Sequence, residues 1–179
     1  MENKRIYHVT QIALLVAIMA VLSYIRIPLP TGVPIVLENL GVMLAALLLG
    51  AKRGSIAVVL FIILRLIGIG GAGGLILLAG PSAGYVYGWL FMPIIIDEIV
   101  KHFHITGWVG IFVIILIAAI VVDDFIFGTA GLMMFVHMSL TGAITANLSF
   151  IIGDMVKALV AAVLYVKLMK SAYFRNLIK

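Results

Sequence analysis

An aspartate and a lysine lie three residues apart in one of the most apolar stretches of the chain, IIGDMVKALVAA, at positions 151–162. At this spacing Asp154 and Lys157 share one face of a helix, where they could simply neutralise each other. Burying an ionisable group in an apolar helix costs about 2.5 to 3.5 kcal/mol, so such groups generally mark a substrate or ion pathway. We therefore predict that both side chains bind a polar ligand.

Other polar side chains lie where the remaining apolar stretches begin or end. Glu38 and Asn39 open the second stretch, Arg65 nearly closes the third, Tyr85 begins the fourth and Asn147 begins the last. Each alone has an ordinary explanation as a helix cap, an interfacial aromatic anchor or a snorkelling cation. Taken together with the Asp/Lys pair, they predict a polar pocket at one end of the protein.

Two further acidic groups are expected to have a structural role. Asp123 and Asp124 are interpreted as a solvated pair at the outer end of a helix, with a proton or cation role as the alternative. Asp97, with its neighbours Glu98, His102 and His104, is interpreted as part of a solvated helix end.

An enzyme is the least favoured class. The chain has no cysteine, which excludes disulfides, thiolate metal sites and cysteine catalysis. His137 has no partner at metal-ligand spacing, and the apolar stretches contain no Ser/His/Asp grouping. No catalytic centre, metal or cofactor is therefore predicted.

The composition identifies the elements that must position these groups. The chain has 179 residues, is 65% hydrophobic and only 11% charged, and has a mean hydropathy of +1.31, whereas soluble domains are roughly 45–50% apolar and 25% charged. We predict a polytopic membrane protein in one domain, 1–179, an all-α bundle of six transmembrane helices. The predicted spans are 7–25, 35–50, 55–69, 83–100, 108–127 and 144–168. The stretch MMFVHM is too short to cross and is assigned to a half-buried segment before the last span.

The positive charges predict the orientation. Nine of the 12 lysines and arginines fall in the two tails or in the connections AKRGS and VKHFH. Because positively charged loops stay in the cytoplasm, both termini are predicted to be cytoplasmic. The net charge of +5 thus reflects topology and gives no indication of nucleic-acid binding.

The predicted outer side contains two irregular segments. RIPLPTGVP is stiffened by three prolines, and GIGGAGGLILLAGPSAGY is rich in glycine. Irregular backbone at membrane depth is tolerated where it is buried in protein or lines a cavity, although glycine also eases ordinary helix packing. No Gly-Lys-Ser/Thr follows the glycines, so a nucleotide-binding P-loop is excluded.

Three segments resemble one known family. RIPLPTGVPIVLENLGVMLAALLLGAKRG resembles the start of the BioY family, the biotin-specific S-components of energy-coupling factor (ECF) transporters. GPSAGYVYGW and IIGDMVKALVAA are similar, in the same order, to its Gly-Pro-Thr-Gly-Gly-Tyr and Pro-Gly-Asp-hydrophobic-hydrophobic-Lys segments. The chain departs from the family in three places. Glu38 stands where Gln is common, the Pro-Val-Phe after the third span is missing, and Ile152 replaces the proline before Gly153.

The resemblance implies a prokaryotic plasma-membrane protein that captures biotin at its outer face. The loop between the first two spans would close over the site, with Pro28, Pro30, Gly32 and Pro34 as the lid. Transport would require an ECF module, made of a transmembrane T-component and two cytoplasmic ATPases. Ala13 and Ala17, four residues apart in ALLVA, resemble the Ala-x-x-x-Ala that S-components present to the T-component.

The resemblance also implies roles for the predicted site residues. Asp154 is suited to accept the ureido N–H groups of biotin, Lys157 or Arg65 could bind its carboxylate, and Tyr85 could cover its apolar body. Glu38, Asn39 and Asn147 complete the expected set. The alternatives are an S-component for a different vitamin or a membrane assembly subunit without a transport role. The protein is expected to be surrounded by membrane lipid and not to bind nucleic acid.

Overall fold

The computed structural model describes residues 2–28, 34–71 and 73–171, and almost all of its regular structure is helical. The elements are α1 (Glu2–Leu22), β1 (Arg26–Ile27), β2 (Ile35–Val36), α2 (Glu38–Leu66), α3 (Ile76–Ala79), α4 (Ala83–His102), α5 (Trp108–Ile117), a π-helical segment (Ala118–Gly128), α6 (Thr129–Phe135), α7 (Leu140–Leu148) and α8 (Ile151–Lys170).

Several of these helices can cross a membrane. Four are long and apolar enough: Arg5–Leu22, Glu38–Leu66, Ala83–His102 and the continuous helix Trp108–Phe135. The pair α7 and α8, bent by 48°, adds a fifth candidate if it forms one broken span. Large apolar side chains are exposed on the outside of the helices, as lipid contact requires. The prediction of an all-α membrane protein is therefore confirmed.

Helix α2 folds back on itself at Gly50. The backbone of this glycine is non-helical (φ 74°, ψ −175°), a conformation that glycine adopts without strain. Glu38 and Arg65, 27 residues apart, form an ion pair, whereas a straight helix would separate them by about 40 Å. The two halves of α2 therefore form an antiparallel hairpin, with Gly50 at one end and the ion pair at the other.

Asp97 on α4 holds the turn of this hairpin. The backbone N–H of Ala51 donates to Asp97 Oδ2 at 2.7 Å, and Lys101 Nζ lies 2.6 Å from the same oxygen. The prediction that Asp97 belongs to a solvated helix end is wrong, because the side chain is buried. A backbone donor freed by the turn requires an acceptor, and Asp97 supplies it.

The second half of the chain differs from the predicted spans. The helix of the predicted span 108–127 continues to Phe135. The first half of MMFVHM therefore ends this helix and does not form a separate segment. The last predicted span is broken between Leu148 and Ile151. The break places Asn147 and Asp154 on separate helices.

Glycine contacts set how closely the helices approach one another. A Cβ on Gly84 of α4 would lie 2.8 Å from Gly131 Cα on α6, so these two backbones are in direct contact. Small residues allow such close packing in membranes, where van der Waals contact rather than water exclusion holds helices together. This crossing brings Tyr85, next to Gly84, against the π-helical segment, where its ring touches Gly128.

Candidate ligand-binding site

A partly open cavity of about 200 Å³ lies between α2, α4, the π-helical segment and α8. Its charged and polar lining comprises Arg26, Glu38, Asn39, Arg65, Ser82, Tyr85, Asp123, Asp124, Asp154 and Lys157. Apolar and aromatic side chains complete the wall, among them Val86 and Trp89 of α4 and Phe150, which directly precedes α8. The cavity thus combines many ionisable groups with an aromatic surface, which suits a small ligand that has both polar and apolar parts.

The hairpin of α2 positions one buried ion pair. Glu38 begins the first half of α2 and Arg65 lies near the end of the second, and the guanidinium Nη1 contacts the carboxylate Oε2. Both side chains are buried. Buried charges require such a partner, since neither an apolar core nor lipid replaces their hydration.

A second buried ion pair lies on α8. Lys157 Nζ lies 2.5 Å from Asp154 Oδ1 and 2.9 Å from Asn39 Oδ1, and Asn39 Nδ2 donates to Asp154 Oδ1 at 3.2 Å. Lys157 also donates to the Val36 carbonyl at 3.4 Å. The side chains of Asp154 and Lys157 are only 2% and 5% exposed. The same-face pairing expected from their spacing is therefore present, and Asn39 ties it to the start of α2.

Tyr85 and Asn147 form a buried unit beside the cavity. The Tyr85 hydroxyl donates to Asn147 Oδ1 at 2.5 Å, and Asn147 Nδ2 donates to the Asp124 carbonyl at 2.8 Å and to Thr129 Oγ1 at 2.9 Å. Six of the seven predicted site residues line the cavity, and Asn147 does not. Its amide is satisfied by protein groups, so in this structure it orients Tyr85 and anchors the π-helical segment.

Asp123 and Asp124 are not a solvated pair, and that prediction is wrong. Each is 3% exposed, and both line the cavity. They lie in the middle of the helix Trp108–Phe135, not at its end. They also lie on its π-helical segment, whose wider turn reduces the angle between successive side chains and lets neighbours face the same side. Sequence reasoning thus missed both as site residues, although two adjacent carboxylates in an apolar run were a visible signal.

Trp89 and Arg26 were also missed. Trp89 lies on α4, 3% exposed, and lines the cavity. Nothing in the sequence distinguishes it from an ordinary core aromatic residue. Arg26 lies in β1 and lines the cavity, while its guanidinium donates to the carbonyls of Ser23 at 2.8 Å and Gly70 at 2.7 Å. It thus joins the end of α1 to the glycine-rich loop.

The predicted lid is anchored at both ends. β1 pairs antiparallel with β2, with Arg26 opposite Val36 and Ile27 opposite Ile35. Pro34 lines the cavity, and Pro28 follows β1. Pro30 and Gly32 lie outside the described residues. The ladder holds the two ends of the segment together beside the cavity.

The predicted partner surface is on the opposite side of α1 from the core. Ala13 and Ala17 are exposed, whereas Leu15, Val16 and Met19 of the same helix are buried. This alanine face is thus available for contact with another membrane helix.

The chain is similar to known proteins over its whole length. A family model described as the BioY family matches residues 1–173. A biotin transporter BioY of Lactococcus lactis is 36% identical and a BioY of Rhizobium etli 37%. The first match covers 98% of this chain and 99% of that relative, and the second covers 85% of this chain and 87% of that relative. A crystal structure of the S-component for biotin from an ECF-type ABC transporter superposes with a TM-score of 0.90 at 35% identity, covering 100% of this chain and 99% of that one.

The Glu38–Arg65 pair gives a testable prediction for stability. Arg65→Ala should destabilise the protein by about 3 to 5 kcal/mol, because it leaves the carboxylate of Glu38 buried without its cation. The double variant Glu38→Ala/Arg65→Ala should lose less stability than Arg65→Ala alone, because neither charge of the pair is then left buried without its partner. Thermal unfolding in detergent measures both. A double variant less stable than Arg65→Ala would contradict the coupling.

Proposed function

The chain belongs to the BioY family, and we propose that it is the biotin-binding membrane subunit, the S-component, of an ECF-type transporter. The observation that carries the proposal is the buried Asp154–Lys157–Asn39 cluster, which lines a cavity in a chain that matches this family over residues 1–173. The subunit captures biotin and passes it on for ATP-driven uptake.

The cavity suits biotin in its chemistry. Biotin combines a cyclic urea, an apolar thioether body and a carboxylate on an aliphatic tail. The cavity offers carboxylates and cations for the two polar ends, and Tyr85, Trp89 and Phe150 for the apolar body. Because the charged groups are shielded from water, hydrogen bonds to them are stronger than they would be at a surface.

We further propose a single domain that crosses the membrane six times. The fold-back at Gly50 supports counting α2 as two crossings, and α7 and α8 are counted together as one broken crossing. With α1, α4 and the helix Trp108–Phe135, the total is six. Positive charges at the Gly50 turn and in the tails support cytoplasmic termini. The cavity then lies toward the outer face, at the opposite end of the α2 hairpin from Gly50.

Uptake would need an ECF module, a T-component with two ATPases, because the chain carries no nucleotide-binding motif. The exposed Ala13–Ala17 face of α1 supports this assembly, since small side chains let a partner helix approach closely. The lid proposal for the segment between β1 and β2 is supported by the anchoring of its ends beside the cavity.

The first prediction of this proposal concerns affinity. Asp154→Asn and Lys157→Ala should each weaken biotin binding by about tenfold or more, because each leaves a buried partner unmatched at a cost of about 1 to 3 kcal/mol. Calorimetric titration of the purified subunit with a panel of vitamins tests this. Lys101→Ala, at the far end of the bundle, is the matched control. Wild-type affinity in both site variants would exclude the assigned site, and preference for another vitamin would exclude biotin.

The second prediction concerns assembly. Replacing Ala13 or Ala17 with Trp should hold the T-component away from α1 and prevent uptake, while leaving biotin binding by the isolated subunit unchanged. Co-purification with the ECF module is the readout. Ala130→Trp, at another exposed alanine, is the control and should assemble normally. An Ala13→Trp or Ala17→Trp variant that still co-purifies would contradict the proposed surface.

The third prediction concerns sidedness. A single cysteine at Thr31 should react with a membrane-impermeant thiol reagent in intact cells, and biotin should slow the reaction if the lid closes over the ligand. A cysteine at Lys52, beside the Gly50 turn, should react only after the cells are opened. The opposite labelling pattern would reverse the topology, whereas labelling of Thr31→Cys that biotin does not change would exclude the lid.

A further inference from the structure

We propose that Asn147 and Thr129 are positioning residues that hold the helix Trp108–Phe135 in its π-helical register and thereby keep Asp124 on the wall of the cavity. Both side chains lie behind the cavity lining, so their effect on a ligand is indirect. The inference rests on the proposed biotin-binding function for the ligand used in its test. It adds to that function two residues that set the shape of one cavity wall.

The buried side chains of this helix follow two different repeats. In α5 they recur every three or four residues, as one face of an α-helix requires. In the π-helical segment and the first residue of α6 they recur every five residues. Hydrogen bonds between residues five apart place such residues on the same face of a π-helix. The two buried rows are Ala118, Asp123 and Gly128, and Ala119, Asp124 and Thr129.

An α-helical register would remove Asp124 from the cavity. Counted from the buried Ala119 at about 100° per residue, five residues turn Asp124 away by about 140°, whereas seven residues return Ile126 to the same face. Ile126 is now 55% exposed on the outside of the bundle. Relaxation of this segment to an ordinary α-helix would therefore exchange an acidic cavity side chain for an apolar one.

The wide register is held at the carbonyl of Asp124. The backbone N–H of Thr129, five residues along the chain, donates to this carbonyl, whereas an α-helix would use the N–H of Gly128. Asn147 Nδ2 donates to the same carbonyl at 2.8 Å and to Thr129 Oγ1 at 2.9 Å. One amide from α7 thus binds both residues that form the wide hydrogen-bonded turn.

The supporting amide is itself fixed in orientation. Asn147 is fully buried, and its Oδ1 accepts from the Tyr85 hydroxyl at 2.5 Å, so its NH₂ group faces the π-helical segment. π-helices are rare and mostly a single turn, so a segment of 11 residues requires support from outside its own helix. The break before α8 lets α7 supply this support, while Asp154 and Lys157 of α8 line the cavity.

Substitutions that remove or keep one hydroxyl test the assignment. Thr129→Val removes the acceptor for Asn147 Nδ2 with little change in volume, whereas Thr129→Ser keeps it. Asn147→Leu removes the amide itself. Thr145→Val, at an exposed threonine of α7, is the matched control. Calorimetric titration gives the dissociation constant of biotin for each variant, and thermal unfolding shows that the variant is folded.

The register is measured separately from ligand binding. The chain has no cysteine, so a pair introduced as Val113→Cys and Met134→Cys can be spin-labelled selectively. Both positions are exposed, and they lie on either side of the π-helical segment. A π-helix has more residues per turn and is shorter per residue than an α-helix, so relaxation should lengthen the distance between the labels by a few ångström. Pulsed EPR on the purified protein without biotin measures this distance.

Thr129→Val and Asn147→Leu should weaken biotin binding about tenfold and lengthen the label distance, because each breaks a buried hydrogen bond of the wide turn. Thr129→Ser and Thr145→Val should match the wild type in both measurements. If Asn147→Leu does not fold, the two Thr129 variants decide the matter.

An unchanged label distance in Thr129→Val would overturn the register role, and a longer distance with unchanged affinity would overturn the link to the ligand. Thr129→Ser behaving like Thr129→Val would exclude the hydroxyl as the cause. Failure of the wild type to bind biotin would refute the proposed function instead, and the label distances would still decide whether these residues hold the register.

Discussion

The buried ion pairs Glu38–Arg65 and Asp154–Lys157 limit how the helices of this bundle can pack. Lipid and apolar side chains do not replace the hydration of a carboxylate or an ammonium group, so each ionised group inside the bundle must have a partner in the protein or in a ligand. Glu38 meets Arg65 only because α2 folds back at Gly50. Asp154 meets Lys157 because they are three residues apart on α8, and Asn39 ties that pair to α2.

These pairs prepare the cavity for a ligand. The Asp154–Lys157–Asn39 cluster connects α8 to the start of α2, and the Tyr85–Asn147 hydrogen bond connects α4 to α7. Side chains that are fixed in this way lose little further conformational freedom when a ligand binds, which favours affinity. The same shielding from water strengthens each hydrogen bond between a charged group and the ligand. A soluble domain could place such groups at its surface, but a membrane bundle must bury them in pairs.

Much of this arrangement could be predicted from the sequence, and the physical reasons are clear. The i, i+3 spacing of Asp154 and Lys157 determines their shared face once the segment is helical, and the charged connection AKRGS after Gly50 marks the turn between two apolar stretches.

The rest of the arrangement depends on local geometry that hydropathy does not encode. The π-helical segment that turns Asp123 and Asp124 inward has no sequence pattern of its own, and the break before Ile151 contains neither proline nor glycine. The burial of Asp97 follows from a turn on another helix, so its own neighbours in sequence could not reveal it.

A structure of the purified protein bound to biotin would test whether the buried ion pairs form the ligand site. We expect one biotin molecule in the cavity between the Glu38–Arg65 pair, the Asp154–Lys157 pair and the π-helical segment, with both ion pairs lining its site. Biotin bound outside this cavity, or with neither ion pair beside it, would show that these pairs do not form the site.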